Sequence, residues 1–311
     1  MIERPIRSAV ITGPTGAVGT ALCQELAQNG ITVYAVCRPD SNRGGSIPEH
    51  PLIQKVLCNL TELQKLPILI SKPVDAFFHL GWAHTIGSGR NDMSAQIRNI
   101  THTVEAVQAA KALGCEVFIG AGSQAEYGPV GVPLRGNTPC KPGNGYGIAK
   151  LCAGQMSRLE CQKLGLDHIW VRILSVYGPN DNPMSMIPGL IGKLLAGERP
   201  KLTEGIQLWD YLYSSDAARA LRLCAQKGVS GKTYVLGSGT AIPLKEYILQ
   251  IRQEIDPKLP LGFGEIPYAP GQVMLLQADI TELSADTGFS PQVDFNQGIR
   301  QTIVSIKGET L

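Results

Sequence analysis

The chain has 311 residues, enough for one large α/β domain or a domain of ordinary size with a smaller companion, and at 43% hydrophobic and 17% charged it is far from a disordered composition. Its 28 basic and 26 acidic residues nearly cancel, so charge gives no case for binding nucleic acid or an anionic membrane. No apolar run reaches the roughly 18 residues of a spanning helix. The opening MIERPIRSAVITG runs straight into a predicted strand without a signal-peptide pattern.

In chain order, SAVIT (Ser8–Thr12) is a β-branched run that meets a glycine loop and then a helical pattern over 17–28, closed by Asn29-Gly30. ITVYAVC (31–37) reads as a second strand. VDAFFHL (74–80), EVFIGAG (116–122) and HIWVRIL (168–174) are further short apolar runs, separated by helical stretches at 94–114 and 147–165. Strands alternating with helices of this length predict a doubly wound, parallel α/β sheet of the Rossmann type over residues 1–177. After Tyr177 the pattern changes: GPNDNPMSMIPGL is loop-like, Pro and Gly recur through GFGEIPYAPGQ, and helices at 214–227 and 244–254 mix with short strands. Residues 178–311 are therefore read as a smaller α/β substrate lobe on the carboxyl ends of the strands, where open sheets hold their ligands. Segments within 206–242, WDYLY and KTYVLG among them, are expected to return to the main sheet. The eight cysteines are scattered, with no Cys-x-x-Cys pair and no matching His spacing. They predict no metal site and no disulfide framework, but reduced thiols in the cytoplasm, with Cys23 and Cys224 as small core residues.

GPTGAVG places Gly13, Gly16 and Gly19 between the first strand and the first helix. The three serve a tight turn, a close backbone approach to a pyrophosphate, and helix–strand packing, and the helix N-terminus adds free N–H groups for the phosphates. The motif in this context predicts a dinucleotide site. Its 2′ end is read where the second strand finishes, in AVCRPDSNR. Arg38 there suits the phosphate of NADP, whereas Asp40 would hold a ribose hydroxyl of NAD; NADP is preferred, and a solvated Arg38 is the bland alternative.

Further on, Tyr146 and Lys150 stand four apart in NGYGIAKLCAG, on one face of a helix, and Ser123 in GAGSQAEYG precedes the tyrosine by 23 residues. With the glycine loop, HLGW, RILSVYGP and WDYLYSSDAARAL, these motifs make the chain resemble the extended short-chain dehydrogenase/reductase family over nearly its whole length. The resemblance is nearest to bacterial enzymes acting on nucleotide-linked 4-keto-6-deoxyhexoses and to nucleotide-sugar epimerases of surface-polysaccharide synthesis. It implies catalysis by Ser123, Tyr146 and Lys150, with Lys150 also holding the nicotinamide ribose and Asn99 supporting the site. It also implies cofactor contacts at Gly13, Thr15, Gly16, Ala17, Val18, Gly19, Arg38, Asn59, Leu60, Leu80, Gly81 and Trp82, and a homodimer built through a helix pair that includes the Tyr146 helix. The chemistry agrees: a free phenol near pKa 10 is a poor base at neutral pH, and a nearby ammonium lowers that pKa.

Relatives that dehydrate nucleotide sugars carry Asp-Glu directly after the Ser/Thr; those positions are Gln124 and Ala125 here. Glu126 comes one step late, and on an extended segment that shift turns a side chain away. A cysteine used for epimerisation at C3 and C5 would also fall at Ala125. Simple hydride chemistry remains: reduction with NADPH, or 4-epimerisation with retained cofactor. A non-sugar carbonyl reductase is a third reading and a dinucleotide-sensing regulator the weakest. Candidate substrate contacts are Trp82, His84, Ser123, Gln124, Ser175, Asn180 and Trp209. Trp209 and Ala269 depart from relatives that place arginines for the diphosphate near these segments, leaving Lys193, Lys201 or backbone groups for that task.

Overall fold

The computed structural model describes residues 3–308. Along the chain lie β1 (Ser8–Thr12), α1 (Ala17–Gln28), β2 (Thr32–Cys37), β3 (Ile53–Leu57), α2 (Leu66–Ile70), β4 (Ala76–His79), α3 (Met93–Ala112) and β5 (Val117–Ser123). They are followed by α4 (Gly145–Leu164), β6 (Asp167–Ile173), β7 (Ser175–Tyr177), α5 (Met186–Leu195), β8 (Leu208–Trp209), β9 (Tyr211–Tyr213) and α6 (Ser214–Lys227). The chain continues through β10 (Thr233–Leu236), β11 (Ile242–Pro243), α7 (Leu244–Ile255), β12 (Leu275–Leu276), α8 (Thr281–Thr287) and α9 (Phe295–Lys307).

Seven strands form one parallel sheet in the order β10-β6-β5-β4-β1-β2-β3. Helices cover both faces, as continuous apolar strands require. On one face Leu22 and Leu26 of α1 and Leu221 and Cys224 of α6 pack on Ile11, Val33 and Ile119. On the other, Ala106, Val107 and Ala110 of α3 and Cys161 of α4 pack on Val10, Phe77 and Phe118. The doubly wound fold expected from the sequence is therefore present. Strand β3 was not singled out from the sequence: it is an edge strand whose central Gln54 and Lys55 are exposed, so it lacks an apolar run.

The chain leaves β1 toward β2 and β3, then comes back to the opposite side of β1 as β4. The carboxyl ends of β1 and β4 therefore flank the switch point where open α/β sheets bind ligands. Of the 206–242 stretch, KTYVLG supplies β10 beside β6 in the main sheet. WDYLY does not join that sheet. It divides between β8, paired with β11 and β12, and β9, paired with β7. Around these small sheets, α5, α7 and α9 close a separate core of Tyr177, Ile187, Ile191, Tyr213, Ile248 and Ile299.

Candidate active site

The glycine loop has the geometry its sequence implies. Gly13 has φ +72°, and a Cβ there would stand 2.8 Å from the backbone nitrogen of Gly81, so the tips of β1 and β4 meet only because it has no side chain. A Cβ on Gly19 would lie 2.1 Å from the Gly13 carbonyl oxygen, whereas one on Gly16 would meet nothing within 4 Å. Gly16 is the N-cap of α1 and offers no side-chain cap. The first-turn N–H groups of Ala17, Val18 and Gly19 thus face an open cradle that suits an anionic diphosphate.

Beside this cradle lies a cleft of about 450 Å³ lined by Gly13, Thr15, Arg38, Ser41, Arg43, Leu60, Gly81, Trp82 and His84 among others. Its size and the loop's open backbone fit a dinucleotide. Arg43, a second guanidinium at the β2 tip, was missed by the sequence reading. It also donates to the carbonyl of Asn180. Asp40 is exposed, Leu80 packs against the sheet core, and Asn59 precedes the 3₁₀ turn at 60–65 without a side-chain cap bond.

Ser123 ends β5 and Tyr146 and Lys150 stand on the first turns of α4. Asn144 starts that helix by accepting the Gly147 N–H at 2.9 Å. A Cβ on Gly147 would lie 2.3 Å from the Ala125 carbonyl oxygen, so this glycine lets α4 close on the turn after β5. The Tyr146 phenol lies within electrostatic reach of the Ser123 side chain. Burial pushes its pKa above the usual tyrosine value, while Ser123 and the charge of Arg90 pull it back. Lys150 is 4% exposed, and burial brings its amine down to about 7. Its Nζ donates to the Ala121 carbonyl at 2.6 Å and sits 3.8 Å from the Trp82 ring centroid, against 5.9 Å to the Tyr146 ring. The ammonium expected to act on Tyr146 is thus only partly charged near neutral pH.

Glu126 does point away from the site, though for a different reason than the one read from sequence. Residues 124–126 form a 3₁₀ turn rather than an extended segment. The Glu126 carboxylate, fully buried, accepts the Ser123 N–H at 2.8 Å, the Trp170 Nε1–H at 3.0 Å and the Arg172 Nε–H at 2.6 Å. It holds the Ser123 backbone in a capping box. Gln124 lies half-buried in the same turn.

The segment after β4 is pinned to α3 by two buried amides. Asn99 accepts the Ala83 N–H at 3.1 Å and donates to its carbonyl at 2.9 Å. Gln96, one helical turn earlier and missed by the sequence reading, accepts the Trp82 indole N–H at 2.9 Å and donates to the carbonyls of His84 and Gly89. Its spacing of three from Asn99 was the available signal. Trp82 is thereby set edge-on to Tyr146 with centroids 6.1 Å apart. His84, exposed at φ +59°, stands at the cofactor cleft.

Ser123, Tyr146, Lys150 and Trp82 therefore come together. Ser175 and Trp209 form their own pair, the indole N–H donating to the serine hydroxyl at 2.8 Å. Asn180, with φ +61°, faces α1 in another crevice with Thr20, Gln24 and Ser214. Lys193 and Lys201 are exposed. Among the described residues no helix is long and apolar enough to cross a membrane.

A doubly wound sheet with a phosphate cradle at its switch point and a Ser–Tyr–Lys cluster beside it defines the dinucleotide-dependent oxidoreductases of the short-chain dehydrogenase type. The model of the NAD dependent epimerase/dehydratase family matches residues 9–237, and the chain belongs to that family. It is similar to a dTDP-glucose 4,6-dehydratase of Neisseria meningitidis serogroup B, 24% identical over 96% of this chain and 92% of that protein. Among solved structures it resembles a UDP-N-acetylglucosamine 4-epimerase from Methanobrevibacter ruminantium M1 in complex with UDP-N-acetylmuramic acid (TM-score 0.87, 22% identity, 99% of both chains). It also resembles RMD from Pseudomonas aeruginosa complexed with NADPH (TM-score 0.80, 20% identity, 97% of this chain and 100% of that one). The chain is thus an enzyme that uses a nicotinamide cofactor.

Proposed function

We propose that this enzyme reduces the 4-keto group of a nucleotide-linked 4-keto-6-deoxyhexose with NADPH. The observation that carries the reading is the pair of guanidinium groups, Arg38 and Arg43, lining the cleft where β2 ends. Planar guanidinium groups take up phosphate bidentately, which favours a cofactor with a 2′-phosphate, and NADPH that exchanges at each turnover goes with net reduction. Dehydration needs a carboxylic acid beside Ser123; Gln124 and Ala125 supply none, and Glu126 is committed to Ser123, Trp170 and Arg172.

The cradle at Gly13 to Gly19 would hold the diphosphate, Arg38 and Arg43 the 2′-phosphate, and Lys150 the nicotinamide ribose. When bound, the cofactor would supply hydride to the carbonyl carbon. As that carbon becomes a carbinol, Tyr146 Oη gives its proton to the carbonyl oxygen, and Ser123 Oγ hydrogen-bonds the same oxygen and fixes its place. The phenolate left on Tyr146 regains its proton from solvent before the next turnover.

A 4-epimerase that keeps its cofactor is the second reading, favoured by the fold shared with UDP-sugar 4-epimerases. The exposed apolar side chains Met93 and Ile97 on α3 and Ile148, Met156 and Leu159 on α4 favour a second copy of the chain docking on this helix pair.

The test offers CDP-, dTDP-, GDP- and UDP-linked 4-keto-6-deoxyhexoses with NADPH or NADH and follows the absorbance of the reduced cofactor. Consumption at least about tenfold faster with NADPH is expected, the discrimination of one charge-assisted phosphate contact. Interconversion of 4-epimers without net consumption would replace the reductase by the epimerase, and equal rates with both cofactors would remove the case for NADPH.

A further inference from the structure

The segment that follows β4 carries an arginine that neither the glycine loop nor the Ser–Tyr–Lys pattern calls for. Arg90 lies in the 3₁₀ turn Gly87–Asn91, and its guanidinium carbon stands 4.9 Å from the centroid of the Tyr146 ring. Its Nε is buried without a hydrogen-bond partner, and among the described residues no carboxylate pairs with the guanidinium. An arginine left unpaired against an aromatic ring has its charge stabilised by that ring and by whatever negative charge the ring acquires.

The backbone on both sides of Arg90 is fixed. Gln96 of α3 donates to the Gly89 carbonyl at 3.2 Å, and Asn91 Oδ1 accepts the Gly145 N–H at 2.9 Å. Asp92 caps α3 by accepting the Ala95 N–H at 3.0 Å. The turn also closes tightly on α4, since a Cβ on Gly145 would stand 3.0 Å from the Arg90 carbonyl oxygen. Both neighbours of Tyr146 are glycines, so the tyrosine sits between the Arg90 turn on one side and the Ser123 turn on the other.

Three elements bring charged and titratable groups within electrostatic reach of Tyr146. From the end of β5 and its turn come Ser123, which lowers the phenol's pKa, and Glu126, whose negative charge opposes ionisation. From α4 itself comes Lys150, turned onto Trp82 and the Ala121 carbonyl and pushed down to about 7 by burial. From the 3₁₀ turn comes Arg90, whose charge lowers the phenol's pKa.

We propose that Arg90 is the cation that poises Tyr146 for proton transfer, its guanidinium carried onto the phenol ring by a turn whose backbone Gln96 and Asn91 fix, and stabilising the phenolate formed when the hydroxyl gives up its proton. Arg90 acts through Tyr146 and is a positioning residue. The inference rests on Tyr146 as the proton donor and adds the source of the field around it.

The test reads the phenol directly. The protein labelled with tyrosine carbon-13 at Cζ and saturated with oxidised dinucleotide is titrated by NMR, with the Tyr146→Phe variant assigning the resonance. Arg90→Met and Arg90→Gln should each raise the Tyr146 midpoint by about one pH unit, the size of a partly desolvated cation–π contact. Arg90→Lys should raise it by less than half as much. The side chain is partly exposed, so two neutral variants should both fold, which circular dichroism checks. A midpoint unmoved in both neutral variants overturns the proposal, as does Arg90→Lys moving it as far as Arg90→Met. The titration needs no substrate: if turnover persists in Tyr146→Phe, the proton-donor reading fails while the Arg90–Tyr146 coupling is still measured.

Discussion

Tyr146 is flanked by two segments built on opposite principles. On the β5 side, Ser123, Glu126, Trp170 and Arg172 form a buried network in which the Glu126 carboxylate has three donors and Arg172 also donates to the Gly136 carbonyl at 3.1 Å. On the α3 side, residues 83–88 are exposed, His84 has positive φ, and Arg90 has no polar partner among the described residues. The first flank has a single arrangement because any opening would leave a charge uncompensated in a low-dielectric interior. The second is fixed only through the amides of Gln96 and Asn99 and leaves its cation available. The contrast places a fixed buried network on the Ser123 side of Tyr146 and an unpaired cation on the other.

Four substitutions can break or sharpen this contrast. The largest effect belongs to the residue between the flanks: Tyr146→Phe should lower kcat about 10³- to 10⁴-fold, or roughly 4–5 kcal/mol, as expected for loss of a general acid. Its dissociation constant for the cofactor, measured by fluorescence, should stay within about threefold of wild type. Undiminished turnover would remove Tyr146 from the mechanism.

Glu126→Gln keeps the shape of the buried flank but strands Arg172. It should lower unfolding free energy by about 3 kcal/mol in urea titration, whereas Arg90→Gln on the exposed flank should change it by less than about 0.5 kcal/mol. Equal losses would erase the distinction between the two flanks.

The last effect is a gain. The Lys150 pKa is lowered from 10.5 to about 7 by burial. Between those values the unfolded chain binds more protons than the folded one, so stability rises with pH across that window and the penalty is complete below it. Lys150→Met should therefore stabilise the protein by about 2 kcal/mol at pH 6, with the gain fading as pH rises from 7 toward 10, while turnover is lost. A gain independent of pH would mean that packing and not ionisation is responsible.

Helix α1 was readable to its end residues because both boundaries carry local chemistry: the glycine cradle before Ala17 and Asn29-Gly30 after Gln28. Strands β1, β2, β4, β5 and β6 were readable as apolar runs, for each is covered on both faces. Edge strand β3 escaped because Gln54 and Lys55 meet solvent. Within the site, Ser123, Tyr146 and Lys150 were legible because they stand at fixed distances along one motif. Arg43, Arg90 and Gln96 were not, because each owes its position to a partner set by the fold: Asn180 across 137 residues, Tyr146 on α4, and the backbone of a loop.

By itself the sequence determined the parallel sheet, the glycine loop at its first turn and the composition of the Ser–Tyr–Lys cluster, since these depend on hydrophobic period and on the order and spacing of motifs along the chain. Only the tertiary structure decided the electrostatic state of that cluster. Burial drained charge from Lys150, a capping turn drew Glu126 into the core, and the approach of two glycine-flanked segments laid Arg90 on the Tyr146 ring. Charge in a site depends on depth and on neighbours from distant parts of the chain, and neither quantity is written into local sequence.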